Sequence, residues 1–439
     1  MPRSRAILEQ SIKENTPRSI QQWKRGLKTM PGGVIKGAYF TNPHPVYVDK
    51  AEDCYLWDID GNKYLDFTNH HTAMILGHSP PSVIQAINDA ISQGLGLGAP
   101  STLEAEVSEE IVSRFRSIDK VRFTASGTES SLHATRLARA FTSKPKVAKF
   151  EGAYHGSHDA LEISVAPNLS LAGSPDSPKA VAAWPGMSAS AEEETVILPY
   201  GQRESVELIL RDNKDDIGGV FFDAKAGIYD IDPDFVHFLR DITRELGMLL
   251  IMDEVVSFRA GYSGYQGLVG VDPDLTLFAK IMTGGMPGGV IAGKSEIMDL
   301  LDNSGALTLN QSGTFSGNHI TLAAGLATLR ELTPELYSHF DSLREKLITG
   351  ITDIFLKLRI DGNVKGTGSI ISFDLNNTKV TDYRSMAGTD KETFDLLRME
   401  MMLRGHLIAP GMGLCLSAPM QSEHIDEFLD ELEKGLQTS

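Results

Sequence analysis

Between residues 145 and 293 one pattern recurs: a short run that is apolar at nearly every position, then a longer stretch with helical spacing. The runs "PKVAKF", "IGGVFFDA", "MLLIMDEV", "LTLFAK" and "GGVIAG" are of the first kind, and "PDFVHFLRDITREL" is of the second. A strand with one face in water alternates apolar and polar residues, whereas one that is apolar throughout must be covered on both faces. Repeated alternation with helices therefore predicts a mostly parallel α/β sheet with helices on either side. Sheets of this kind bind ligands outside the carboxyl ends of their strands. At 439 residues the chain exceeds the usual size of a single core. One large domain, residues 76–330, is expected beside a smaller one.

The flanking segments supply the smaller domain. Residues 5–29 carry Leu8, Ile12, Ile20, Trp23 and Leu27 near helical spacing and end at "PGG". "PVYVDKAEDCYLWDIDGNKYLDF" alternates around a turn at Asp60-Gly61, which predicts a β-meander. These make residues 1–75 an N-terminal arm and part of the smaller domain. Residues 331–439 read as its α+β remainder, with a helix over 335–357, the strand-like "IISFDL", "HLIAP" and "GLCLSAP", and an acidic C-terminal helix. The Ser/Ala/Pro-rich stretch 166–192 is predicted to be a long surface loop.

Charge narrows the partners. A formal net charge of −17, with no local run of Lys/Arg, repels phosphate backbones and anionic lipid, so neither nucleic acid nor a membrane is expected. There is no continuous apolar leader and no run of ~18 apolar residues. The 2 cysteines, Cys54 and Cys415, lack metal-ligand spacing and read as reduced core thiols, so a cytoplasmic chain without a metal site is expected.

Four segments carry chemical groups toward strand ends. "TASGTES", 124–130, lies between a strand and a helix. Its small residues admit close backbone approach, and Ser126, Gly127 and Thr128 would present amides and hydroxyls to an anion, although a capped helix with no ligand uses the same residues. "EGAYHGSH", 151–158, offers Tyr154 or His155 as a flat side chain to lie over a ring, or as simple loop packing. "MLLIMDEVVSF" ends an apolar run on Asp253 and Glu254. A carboxylate there caps the next helix or holds a ring nitrogen protonated. "DLTLFAKIMTGGMPGG", 274–289, puts Lys280 alone among apolar residues. An unpaired ammonium is costly to bury, whereas a desolvated amine is suited to imine formation with an aldehyde. The glycines that follow are expected to let the chain turn close to a ligand. An anion cradle, a stacking aromatic, an acid and an imine-forming lysine are together what pyridoxal phosphate requires of a protein.

On "LWDIDGNKYLDF", "GHSPP", "RFTASGTES", "GAYHGSHD", "LLIMDEVVSFR", "DLTLFAKIMTGGMPGG" and "GTFSGNH", the chain resembles the class III, fold-type I pyridoxal-phosphate aminotransferases over nearly its whole length. The similarity is greatest to the branch of glutamate-1-semialdehyde aminomutases and β-amino-acid aminotransferases, β-phenylalanine aminotransferases among them. The resemblance implies a seven-stranded sheet and a Schiff base on Lys280. It implies Asp253 against the pyridine nitrogen, the phosphate on Ser126, Gly127 and Thr128, and Tyr154 on the ring, with His155 beside it. It also implies a homodimer with shared sites, in which Thr314 reaches the neighbouring cofactor, and an amino group passed between an amine or amino acid and a keto or aldehyde acceptor. An aminomutase, an epimerase and a non-catalytic relative are the alternatives.

Two departures stand out. Asp223-Ala224-Lys225 replaces a Glu-Pro-Val-like triplet whose third residue normally packs on the ring, so Lys225 either points away or brings a second amine. The β-amino-acid enzymes carry substrate-binding arginines where this chain has Lys36 and Gly411, which loses a bidentate fork at both positions. Lys36 remains able to hold a carboxylate as a point charge, and Arg259 is a further candidate anion binder.

Overall fold

The computed structural model describes residues 3–305, 308–376, 379–411 and 413–437. The chain divides into two compact units, Met1–Pro80 with Ser338–Thr378 and Thr389–Ser439, and Pro81–Tyr337 with Lys379–Gly388.

The larger unit is built on seven strands: β1 (Lys120–Thr124), β2 (Lys146–Phe150), β3 (Thr195–Leu198), β4 (Ile217–Phe222), β5 (Leu249–Asp253), β6 (Leu275–Ala279) and β7 (Gly289–Gly293). Their order across the sheet is β1-β7-β6-β5-β4-β2-β3, and only β7 runs antiparallel to its neighbours. Every residue of β4, β5, β6 and β7 is buried. Alternate residues serve opposite faces. Val220, Phe222, Leu250 and Met252 join one apolar cluster, with Val206 and Leu210 of helix Arg203–Asp212 and Phe235 and Leu239 of helix Pro233–Glu245. Phe221, Leu249 and Ile251 join the other, with Ala134 and Leu137 of helix α1 (Gly127–Thr142). Burying each such side chain contributes roughly 2 kcal/mol, which is why neither face tolerates the polar alternation of a half-wet strand. β3 is not among the apolar runs picked out by sequence; it is four residues long and forms an edge.

Residues Lys379–Gly388, assigned by sequence to the C-terminal domain, belong instead to the larger unit. Arg384 explains this: its guanidinium grips Glu151 through two bonds of 2.7 and 2.9 Å and also donates to the carbonyls of Ala172 and Gly173. A bidentate, mostly buried pair with further acceptors fixes the segment there. The stretch 166–192 is largely irregular, but Ala182 and Met187 pack on Ile163, Ala191 and Ile197.

In the smaller unit the meander forms as strands Val48–Glu52, Tyr55–Asp58 and Lys63–Asp66, and His406–Leu407 pairs in parallel with the last of them. A second sheet joins Asn363–Thr367, Ile370–Asp374 and Leu414–Cys415. Among the described residues no helix is long and apolar enough to cross a membrane, and no group of three His, Cys, Asp or Glu could hold a metal ion.

Candidate active site

Strand register brings the sequence candidates of the larger unit to one edge of the sheet. Ala279 lies opposite Gly289, Gly289 opposite Thr124, and Asp253 opposite Leu277. The turns that leave β1, β2, β4, β5 and β6 therefore begin side by side.

The turn after β1 opens α1. Ser126 is its N-cap, and its Oγ accepts from Glu129 N at 3.1 Å. Glu129 returns the contact, its Oε2 accepting from Ala125 N at 2.7 Å. The first intrahelical bond is Ser130 N to Ser126 O, so the Gly127 and Thr128 amides have no acceptor in the helix. Ser126 Oγ, already an acceptor, still has its proton to donate. The same holds for Thr128 Oγ1, which accepts from Ser157 N at 3.1 Å. This donor set suits a group made only of acceptors, such as a phosphate. Close packing demands the glycines: a Cβ on Gly127 would sit 3.3 Å from that of Ala279, and one on Gly156, whose φ is +101°, 2.6 Å from Thr128 Cα.

Lys280 begins a short 3-10 turn, Lys280–Thr283, at the end of β6. Its φ of +54° is a left-handed value that a β-carbon disfavours by about 1 kcal/mol or more. The turn is held from within, Gly285 N donating to Lys280 O at 2.9 Å and Thr283 Oγ1 at 3.0 Å. Lys280 is half-buried and not sealed. The glycines behind it answer to packing against protein. A Cβ on Gly284 would lie 2.5 Å from Ala324 O of helix His319–Glu331, and one on Gly289 2.4 Å from Ser126 O.

Asp253, 5% exposed, ends β5. Its Oδ1 accepts from Val255 N at 3.0 Å and its Oδ2 meets His155 Nδ1 at 2.8 Å. His155 Nε2 is buried with no hydrogen-bond partner. A proton there would be an unsatisfied buried donor, so the proton belongs on Nδ1, donated to Asp253. His155 thus backs the carboxylate. Neighbouring Glu254 has a different task. Fully buried, it accepts from the Tyr265 and Gln266 amides at 3.1 and 2.8 Å, and burial raises its carboxyl above the usual range.

The other candidates divide. Tyr154 is 50% exposed, its hydroxyl 3.0 Å from Ser157 Oγ, so its ring remains open to a ligand. Thr314 is exposed in a turn tied down by Ser316 Oγ, which donates to Glu129 Oε1 at 3.3 Å. Arg259 is a correction: it is fully buried, so it packs inside the protein and offers no face to a substrate anion. Lys225 is no free second amine. Its Nζ lies 2.9 Å from Asp223 Oδ2, and its own amide donates to Asp223 Oδ1 at 3.0 Å. Burial alone would raise the Asp223 carboxyl, but the Lys225 ammonium and amide beside it hold the group below its ordinary value. Lys36 and Gly411 belong to the other unit and are exposed there, Lys36 lying 4.1 Å over the Tyr39 ring.

Two residues here escaped the sequence reading. Glu129 was legible, because Ser126-Gly127-Thr128-Glu129 has the S-x-x-E form of a capping box. Lys149 was not: it is one of two lysines in "PKVAKF", and nothing local marks it, and not Lys146, as fully buried.

Comparison with known proteins gives the family. The pattern that defines the class-III aminotransferases matches residues 38–436. A protein of Macrococcus caseolyticus named glutamate-1-semialdehyde 2,1-aminomutase 1 is 36% identical over 428 residues, covering 95% of this chain and 98% of its own. Among solved structures, an omega-transaminase from Sphaerobacter thermophilus superposes with a TM-score of 0.90 at 32% identity, covering 95% of this chain and 97% of that one. A β-phenylalanine aminotransferase from Variovorax paradoxus gives 0.86 at 28%, covering 98% and 96%.

Proposed function

Since the chain belongs to the class-III aminotransferases, pyridoxal-phosphate enzymes of fold type I, we propose that Lys280, Asp253 and the Ser126–Thr128 turn are its catalytic and cofactor-holding groups. The observation that carries this is their convergence: the lysine at the end of β6, the backed aspartate at the end of β5 and the helix start after β1 share one edge of the sheet. The enzyme moves an amino group between an amine or amino acid and a carbonyl acceptor.

Ser126, Gly127 and Thr128 would hold the phosphate, Asp253 the pyridine nitrogen, and Tyr154 a face of the ring. When bound, the cofactor supplies a conjugated, electron-withdrawing ring that stabilises negative charge at the substrate carbon. The rest falls to side chains. Lys280 Nζ would hold the cofactor covalently, and its amine would be the base that takes the proton from the substrate carbon and delivers it to a different carbon. A neutral amine is needed for the uptake. Asp253, oriented by its donors Val255 N and His155 Nδ1, would face the ring nitrogen and accept a hydrogen bond from it.

The holoenzyme is expected to absorb near the visible edge and to bleach on addition of an amine donor, releasing a distinct keto product. Lys280→Ala should remove that band and lower turnover by about 10³-fold or more. Wild-type protein that stayed colourless with pyridoxal phosphate would overturn the assignment. The second reading, a glutamate-1-semialdehyde-type aminomutase, is favoured by the 36% identity to proteins of that name. Isomerisation of one substrate with no second substrate and no released keto product would establish it.

A homodimer with shared sites is part of the proposal. It is supported by exposed Thr314 beside Phe315, which is 69% exposed, and by Leu95, 73% exposed, whose carbonyl accepts from Asn318 Nδ2. Sedimentation at assay concentration tests it. Lys36 as a carboxylate contact, and a cytoplasmic setting for the two free buried thiols, are proposed on the sequence argument. A donor screen spanning an aromatic β-amino acid, an α-amino acid and an aryl-alkyl amine tests the former, and cell fractionation the latter.

A further inference from the structure

The second buried lysine stands outside the chemistry described so far. Lys149 is at 0% exposure in β2. Its Nζ donates to three backbone carbonyls, Ala153 at 2.7 Å, Leu161 at 2.8 Å and Ile163 at 2.6 Å. An ammonium has three protons, and all three are used. None goes to a carboxylate, so the group is satisfied without a direct counter-ion, an arrangement that is unfavourable to bury unless the bonds it makes are required.

What those bonds enclose gives the reason. Ala153 lies just before Tyr154 and His155, while Leu161 and Ile163 lie beyond His158, so one ammonium ties both ends of a single loop. Two contacts leave that loop for the cofactor-holding elements: His155 Nδ1 to Asp253 Oδ2 at 2.8 Å, and Ser157 N to Thr128 Oγ1 at 3.1 Å. Gly156 between them admits no Cβ, which would lie 2.6 Å from Thr128 Cα. The loop is therefore seated closely against both the β5 end and the α1 start, and a small shift at its base would disturb both contacts.

We propose that Lys149 is a positioning residue, a buried three-point clamp that sets the 153–163 loop so that His155 backs Asp253 and Ser157 engages Thr128. The part concerning the cofactor rests on the function proposed above; the part concerning the loop does not. The chemistry calls for lysine in particular. Three carbonyls around one nitrogen match a compact ammonium, whereas the planar fork of arginine cannot place three donors at one point.

The test compares wild type with Lys149→Met, which keeps the length and apolar stem, and with Lys149→Gln, which keeps two donors in case the first does not fold. The control is Lys144→Met, since Lys144 also donates to two backbone carbonyls, those of Leu246 and Gly247, away from the site. Hydrogen exchange on the cofactor-free chain should quicken at least tenfold across residues 153–163 in Lys149→Met and less in Lys149→Gln, with Lys144→Met unchanged. Spectral titration should show pyridoxal-phosphate affinity falling about tenfold or more in the same order, and Lys149→Arg should fail to restore it. Unchanged exchange in a folded Lys149→Met overturns the clamp. Faster exchange with wild-type cofactor affinity and spectrum overturns its role toward the cofactor. A wild-type chain that binds no pyridoxal phosphate sinks the proposed function, and the exchange result still decides the clamp.

Discussion

Neighbouring strands β4 and β5 each deliver a buried aspartate to the same edge of the sheet, and the two are partnered in opposite ways. Asp223 folds back on its own turn, taking the Lys225 amide on one oxygen and the Lys225 ammonium on the other. Its charge is cancelled locally. Asp253 takes one amide and the Nδ1 proton of His155, donors that stabilise the carboxylate without bringing a full ammonium of their own. That charge remains to be used. A buried carboxylate is therefore not by itself a functional group: its partner decides whether its field is spent inside the protein or directed at a ligand.

Substitutions can break the comparison. The largest effect is expected for Asp253→Asn, which keeps the shape and removes the charge: turnover should fall about 10²–10³-fold with little change in Tm, a range set by the loss of one preorganised electrostatic contact. Asp223→Asn should leave turnover near wild type, and a reversal of these two results would interchange the roles assigned to the strands. Next comes His155→Gln, which weakens the backing of Asp253. Losing a hydrogen bond to a charged group, about 1.5 kcal/mol, should weaken cofactor binding roughly tenfold by spectral titration. Lys225→Met leaves Asp223 without its counter-charge. Because the pair is partly exposed, the expected cost is about 2 kcal/mol in denaturant unfolding, below that of a sealed pair, with the rate per folded molecule unchanged.

The smallest effect concerns His158, on the clamped loop. Burial lowers its imidazole from 6.5 to about 4. Between those values the unfolded chain holds the extra proton, so this contribution to stability is complete above pH 6.5 and is lost as pH falls through 4. His158→Asn should remove that slope, shifting the acid-unfolding midpoint down by roughly a few tenths of a pH unit.

Among the candidates, Lys280 and Asp253 were the most legible, because each is a polar residue ending a run that must be buried. Such a contradiction stands in the local pattern itself. The helix cap at Ser126 was legible for the same local reason, although Glu129 was passed over. Arg259 was misread. Following "DEVVSF", it has no sequence feature that separates an anion binder from a packed guanidinium. Lys225 could be flagged as odd but not placed, since its pairing with Asp223 depends on a turn with φ of +46° at a non-glycine residue.

What the sequence determined by itself is the class of fold and the end of the sheet at which its candidate residues gather. Apolar periodicity states which faces must leave water, and for a parallel sheet that leaves few arrangements. Only the tertiary structure decided how buried charges are shared: Arg384 with Glu151 across 233 positions, His155 with Asp253 across 98, and Lys149 with carbonyls up to 14 residues away. Burial is a demand that each residue carries in its own side chain. Pairing is a property of two residues that the chain brings together only after its core has formed.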